Sequence, residues 1–325
     1  MDAAPGYSIV VVTWHCADHL RALVESMNAQ LDGRQQLIVV DNGSSDDPGA
    51  AARRWSGELE FVALGRNAGF GPASNAGVAR AKGAVTVLLN PDTELLDAGL
   101  DRLASVAAER RGLVGPRVLN ADRTVQPSAS GPEVGVWPWV RALLPGAVTP
   151  PALRRFTEPY RLDRPARVTW LTGACIAGPT EALARLGPFD PKLHLYGEDV
   201  DLGLRAAAAG VPVWFDPTAC RIVHHGQASS TPAYGDREGW RPQGTVNWRA
   251  ALRRAHGPRR EWLAWRALRL NLRLRLLAKQ ALRRATEADR AAHRAAVSAE
   301  PVPVLPQAPL RRVAPERAPT TRDSA

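Results

Sequence analysis

Residues 36–47 read QLIVVDNGSSDD, four consecutive apolar residues from Leu37 to Val40 closed by an acid and a turn. A short run that is apolar at every position and rich in β-branched residues suits a strand covered on both faces, as in a parallel sheet. The neighbouring text repeats the pattern. SIVVVTW (8–14) comes before it, with the helix-like ADHLRALVESMNAQL (17–31) between them. LEFVAL (59–64) and AVTVLLNPDTE (84–94) come after, interleaved with GPASNAGVARAKG (71–83) and LDAGLDRLASVAAERR (96–111). Four such runs separated by amphipathic segments predict an α/β, Rossmann-like fold with a mostly parallel central sheet flanked by helices.

Ligands of such sheets bind beyond the C-terminal strand ends. Thr13, Asp41 with Asn42, Arg66 with Asn67, and Asn90 with Asp92 stand at the four ends. Each of these residue types also makes turns and N-caps, which is the structural alternative for any one of them. Asp41 on a rigid strand end suits hydrogen bonds from a nucleobase imide or a ribose hydroxyl. The stretch GRNAGFG (65–71) lacks the GxGxxG spacing of dinucleotide binders, which disfavours hydride chemistry. In LLNPDTEL (88–95), Asn90 and Asp92 offer hard oxygen ligands of the kind Mg2+ or Mn2+ takes beside a diphosphate. His224 and His225 could add one nitrogen; adjacent residues of a strand point to opposite faces, so only one could serve.

The chain of 325 residues is 45% hydrophobic and carries a formal net charge of +10. Residues 249–284 hold twelve Lys or Arg against the single acid Glu261, so the remainder is close to neutral. Three widely spaced cysteines, Cys16, Cys175 and Cys220, fit no zinc or thiol-exchange motif and suit a reducing cytosol. No stretch approaches the roughly 20 apolar residues that span a bilayer. Residues 131–165, rich in Pro, Arg and Trp, read as a loop over the site or as a linker. Order returns in RVTWLTGACIAG (167–178), and VPVWFDP (211–217) and ACRIVHHG (219–226) read as further strands. The Arg-, Leu- and Trp-rich text from Asn247 favours helix, although LRLNLRLRLL (268–277) would also suit a strand. By itself this segment suits an anionic membrane surface or a nucleic acid, and only the enzyme class that the chain resembles favours the membrane over nucleic acid. The organisation expected is a domain over 6–232, a basic helical C-terminal extension over 233–296, and a disordered tail over 297–325.

LYGEDVDLGLR (195–205) crowds Glu198, Asp199 and Asp201 into four positions. Like charges this close raise one another's pKa, so the three acids mark either a solvated helix start or a site that uses carboxylates.

In their order along residues 8–230, SIVVVTWHCADHL, VVDNGSSDD, GRNAGFGPASNAG, LLNPDTEL, WLTGACIAG, GPFDPKLHLYGEDVDLGLR and VHHGQAS make the chain resemble the family 2 inverting glycosyltransferases of GT-A fold, rhamnosyltransferase-like members in particular. The resemblance implies that Thr13, Asp41 and Asn67 contact the nucleotide of a nucleoside diphosphate sugar, with Gly71 and Asn75 beside them. It implies that Asp92 binds Mg2+ or Mn2+, that His224 completes the metal site with His225 second to it, and that Asn90 replaces the first acid of the family's motif. Asp199 matches the catalytic base, Glu198 orients it or the acceptor, and Asp201 starts the helix. Trp170, Gly173 and Asp190 fall on the acceptor side, where Trp170 could equally be core and Asp190 a turn residue. The acceptor implied is a polyprenyl-linked saccharide in cell-envelope synthesis. The setting implied is cytoplasmic, with peripheral association at the inner face of the plasma membrane through residues 249–284. A nucleotidyltransferase would carry a Gly- and Arg-rich phosphate loop, which VVTWHCADHL (11–20) lacks. A non-catalytic nucleotide-sugar-binding protein is the other alternative.

Overall fold

In the computed structural model, which describes residues 6–144, 149–187, 189, 190, 193, 197–226 and 242–298, the four apolar runs are strands β1 (Ser8–Thr13), β2 (Gln36–Asp41), β3 (Leu59–Ala63) and β4 (Val85–Leu89). β1 and β4 are buried at every position and β2 at all but Asp41, whereas the edge strand β3 is half-exposed. All three pairings among these strands are parallel, and the register sets Thr13 opposite Asp41 and Val11 opposite Leu89. Their C-terminal ends therefore open on one edge. Helix α1 (Ala17–Gln30) covers one face through Leu20, Leu23, Val24 and Met27, a three-four spacing that keeps them on one stripe. The short α2 (Pro48–Ala52) starts where Asp47 accepts the Ala50 N–H. On the other face, α3 (Phe70–Val78) approaches closely enough that a Cβ at Gly77 would come within 2.4 Å of Val10.

After β4 come β5 (Thr93–Leu95), α4 (Gly99–Arg110), β6 (Leu113–Gly115), β7 (Arg117–Leu119) and β8 (Ala129–Ser130). Residues 131–165 are not an open linker. They contain α5 (Trp137–Leu143) and α6 (Pro151–Thr157), joined by Trp137 stacked on Phe156 at 4.0 Å between ring centroids. Helices of seven residues are too short to show a period in sequence, and both carry Pro in the first turn, where its missing N–H costs nothing.

The chain then forms β9 (Ala166–Arg167), β10 (Trp170–Leu171), β11 (Cys175–Pro179), α7 (Thr180–Leu186), α8 (Glu198–Ala208), β12 (Val213–Phe215) and β13 (Arg221–His224). The large sheet has the order β3-β2-β1-β4-β11-β6-β12-β9. Parallel from β3 to β4, it turns mixed beyond, because β11 runs antiparallel to both β4 and β6, and β9 to β12. Two small ladders stand apart, β8 with β10, and β5-β13-β7.

The basic C-terminal text is helical: α9 (Pro242–His256), α10 (Pro258–Ala281) and α11 (Glu287–Ser298). Val297 and Ser298 thus complete a helix instead of beginning a tail. Residues 299–325, the expected boundary at 232/233 and the motif residues Gln227 to Ser229 lie outside the described residues. These helices pack on α8 through a cluster of Val200, Leu204, Trp248, Ala251, Leu252 and Ala264. Two arginines expected to face a partner are turned inward. Arg249 is 4% exposed, paired with Glu261 and lying over the Trp265 ring at 4.1 Å. Arg254 binds Asp190 and Asp201 at 2.8 and 2.6 Å.

Breaking a buried pair leaves one uncompensated charge and typically costs about 3–5 kcal/mol, whereas replacing both partners with apolar residues costs far less. Glu261→Ala is therefore expected to lower unfolding stability by that amount, and Arg249→Met with Glu261→Leu to recover most of it, read by urea denaturation of each variant.

Candidate functional site

At the shared edge of β1, β2 and β3, backbone and side chains close a polar rim. Thr13 is fully buried, its Oγ1 3.2 Å from Cys16 Sγ, and its carbonyl accepts the Asn42 N–H. Asp41 is partly exposed and accepts the Ser44 N–H through Oδ1 at 3.0 Å, which fixes its carboxylate at the strand end. Asn42, set by the sequence at the strand end beside Asp41 without a role of its own, ties the rim together. Its Nδ2 donates to Asn67 Oδ1 at 3.0 Å and its Oδ1 accepts the Ala68 N–H, while Asn67 Oδ1 also accepts the Gly69 N–H. Gly71 and Asn75 sit next to this rim but are engaged with Phe189. A Cβ at Gly71 would lie 2.9 Å from Phe189 Cβ, and Asn75 donates to Phe189 O and accepts Phe189 N–H at 2.8 and 3.0 Å.

Asp92 and His224 meet. Asp92 precedes β5, His224 ends β13, and the β5-β13 pairing brings Asp92 Oδ1 to 3.3 Å from His224 Nε2. Gln126, in a stretch without pattern, orients the ring: its Oε1 is 2.9 Å from His224 Nδ1, and its own Nε2 donates to Asn120 Oδ1. Donation from Nδ1 to Gln126 leaves Nε2 as a lone pair facing the carboxylate. Asn90 stands beside them, its Nδ2 3.4 Å from Nε2, and its buried Oδ1 has no hydrogen-bond partner among the described residues. The Asp92 carboxylate and the His224 imidazole, with the Asn90 amide against that ring, offer oxygen and nitrogen donors of the kind a divalent cation takes. Among the described residues no group of three or more His, Cys, Asp or Glu forms a closed cage. A set this small suits an ion that keeps positions open for substrate oxygens. His225 turns to the other side, 3.5 Å from Glu94.

The base candidate stands at the start of α8. Asp199 Oδ1 accepts the Val200 N–H at 2.8 Å, and its carboxylate also accepts the Gly173 N–H. Burial raises its pKa to about 6 against the lowering effect of these backbone donors. Burial, with Asp199 beside it, raises Glu198 to about 8, and the buried Glu198 Oε2 has no partner among the described residues. The two carboxyls disfavour each other's charge, and the backbone N–H donors on Asp199, which Glu198 Oε2 lacks among the described residues, favour placing the charge on Asp199. Asp199 and the metal candidates share an edge. Gly173 holds Asp199, the next residue Ala174 accepts the Asn90 N–H at 3.0 Å, and Asn90 touches His224.

The remaining acceptor-side residues are anchored within the protein. Trp170 packs with the α8–α9 cluster and donates its indole N–H to Glu133 at 3.0 Å. Glu133, hidden in the Pro-rich text, is buried and also receives Ser130, Arg141 and Trp248. Asp190 and Asp201 are both buried and both held by Arg254, and Asp201 also holds Arg205.

Comparison with known proteins bears on the family and the fold. The glycosyl transferase family 2 profile matches residues 8–160. The chain is 30% identical over 241 residues, 69% of its own length and 76% of the relative's, to the N-acetylglucosaminyl-diphospho-decaprenol L-rhamnosyltransferase of Mycobacterium tuberculosis. It is 33% identical over 238 residues to the O-antigen biosynthesis protein RfbC of Myxococcus xanthus, covering 69% of this chain and 18% of that protein. Among solved structures it is similar to the mannosyltransferase PcManGT of Pyrobaculum calidifontis in complex with GDP-Man and Mn2+, at TM-score 0.56 and 18% identity over 91% of this chain and 85% of the other. GalNAc-T7 with UDP, GalNAc and Mn2+ aligns at TM-score 0.55 and 21% identity over 75% of this chain and 48% of that one. These structural likenesses establish the GT-A fold.

A carboxyl raised by burial destabilises the fold while ionised, above its folded pKa, and the penalty disappears below its unfolded pKa. Asp199→Asn is therefore expected to raise the melting temperature at pH 8 and to leave it unchanged near pH 4, read by calorimetry across that range.

Proposed function

The chain belongs to glycosyl transferase family 2, and from that premise we propose that it transfers one sugar, L-rhamnose foremost, from a nucleoside diphosphate donor to a hydroxyl of a polyprenyl-linked saccharide, with inversion, in cell-envelope polysaccharide synthesis. The strongest support is the hydrogen-bond path from Asp199 through Gly173 and Ala174 to Asn90, which links the candidate base to the candidate metal cluster. The rhamnosyltransferase relative supplies the sugar and the lipid-linked acceptor by similarity.

The nucleoside would lie on the rim of Asp41, Asn42 and Asn67, with the diphosphate directed to Asp92 and His224. Mg2+ or Mn2+, held by these two residues with Asn90, would supply positive charge to the departing diphosphate. Asp199 takes the proton from the acceptor hydroxyl as its oxygen attacks the anomeric carbon and the bond from that carbon to the phosphate oxygen breaks on the opposite face. The Gly173 and Val200 N–H groups aim the base. The same donors favour placing the charge of the pair on Asp199 over Glu198.

No helix among the described residues is long and apolar enough to cross a membrane. We place the protein at the cytoplasmic face of an anionic membrane, on the outer side of α10. Trp262, Leu263, Leu274 and Leu277 are exposed there, and Arg266 lies over the Trp262 ring at 4.8 Å. Each cation near such a surface contributes about 1 kcal/mol.

Purified protein given nucleoside diphosphate L-rhamnose, Mn2+ and a short-chain polyprenyl-diphosphate N-acetylglucosamine is expected to form the product with inverted anomeric configuration, read by NMR. Asp199→Asn should lower the rate about 10²- to 10⁴-fold. The acid limb of kcat/KM should fall near pH 6, because protonation of Asp199 removes the base. Full activity in that variant would end the assignment of the base. Co-sedimentation with phosphatidylglycerol vesicles should weaken in Arg273→Gln/Arg275→Gln and with added salt, whereas phosphatidylcholine vesicles should retain little protein in either case.

A further inference from the structure

A cavity of about 580 Å³ lies at the far margin of the large sheet, between the edge strand β9 and α6, away from the donor rim. Arg155, Arg164 and Arg167 line it together with Phe156, Thr169 and Trp214, and no carboxylate does. This sets the three arginines apart from their neighbours. Arg117, Arg141 and Arg161 each hold an acid, at 2.9, 3.3 and 3.4 Å. Among the described residues Arg155, Arg164 and Arg167 have no acidic partner. Arg155 instead lies over Phe156 at 4.4 Å and Arg167 over Trp214 at 5.0 Å, which holds their planar heads at the wall.

Three guanidiniums and a threonine hydroxyl form a donor-rich wall with no carboxylate in return. The ligand that satisfies it is acceptor-rich and anionic, and forked guanidinium heads fit phosphate oxygens. The rest of the lining, Leu162, Val168 and three prolines or alanines, is apolar. An amphiphile with a phosphorylated head matches both halves.

The place of the cavity narrows the ligand further. Thr169 in its wall is backed by α8, where a Cβ at Gly203 would sit 2.3 Å from Thr169 O. Gly203 is four residues from Asp199, about 6 Å along the helix axis at 1.5 Å per residue. Thr169 in the cavity wall thus packs on the helix that begins at the candidate base. Resting on the acceptor class given above, we propose that this cavity holds the diphosphate of the lipid-linked acceptor, with Phe156 and Leu162 against its first isoprene units.

Calorimetric titration of the full chain with geranyl diphosphate in EDTA silences any metal-dependent binding at Asp92 and His224. Binding is expected to persist there, and to weaken at least tenfold in Arg164→Gln/Arg167→Gln and measurably in Arg155→Gln, with melting temperatures unchanged. Equal affinity in wild type and variants would overturn the proposal. So would inorganic diphosphate binding as tightly as geranyl diphosphate, which marks a simple anion site, or phosphatidylglycerol vesicles showing the same loss in the variants, which marks a lipid headgroup site. In the transfer assay the variants should raise KM for the polyprenyl-diphosphate acceptor about tenfold, leaving kcat and donor KM unchanged. An acceptor analogue lacking the diphosphate should be indifferent to them. Arginine-dependent binding of geranyl diphosphate without transfer to any lipid-linked acceptor would sink the proposed function and leave the site. Transfer with an unchanged acceptor KM in the variants would sink the site and leave the function.

Discussion

The direction of one strand organises this molecule. β11 runs antiparallel beside β4, so the start of one strand meets the end of the other, and the Asn90 N–H reaches Ala174 O across that junction. A parallel β11 would carry Gly173 and Ala174 to the opposite edge, and with them the backbone donor that holds Asp199. Instead the residues that follow β4 and those that precede β11 face the same opening. Small residues allow the contact. At Gly178, one position from the end of β11, a Cβ would press to 2.6 Å from Leu113 on β6.

The basic C-terminal helices have two electrostatic roles that composition merges into one. Arg249 and Arg254 are interior groups whose carboxylate partners come from α10, from α8 and from the segment before it. Buried ion pairs of this kind add little net stability, but a misplaced helix would strand their charges, so they specify one docking geometry. The cluster around Glu133 does the same for the Pro-rich segment, where one carboxylate receives donors from β8, α5, β10 and α9. What remains for an external partner is the outward charge of α10.

Much of this was legible in the sequence, for physical reasons. Strands β1, β2 and β4 are apolar at nearly every position because both faces are covered, and the text shows it directly. The meeting of Asp92 with His224 was foreseen through resemblance, although they are 132 positions apart in the chain. The direction of β11 was not legible, since CIAGP reads alike both ways. Gln126 and Glu133 carried no signal because each acts through partners distant in the chain. Gly71 and Asn75 show the converse, a motif whose visible use is to clip the Phe189 peptide in place.

The pairing of β8 with β10, only Ser130 with Trp170 and Ala129 with Leu171, brings the two ends of the intervening segment side by side. Between them lie α5, α6 and the edge strand β9, so a ladder two residues long closes the segment at its ends while β9 and Glu133 fasten it along its length. Changing the length of a segment closed in this way costs little entropy and leaves the large sheet's central strands untouched. Such a segment can change in length while the strand ends that carry Thr13, Asp41 and Asn90 keep their places.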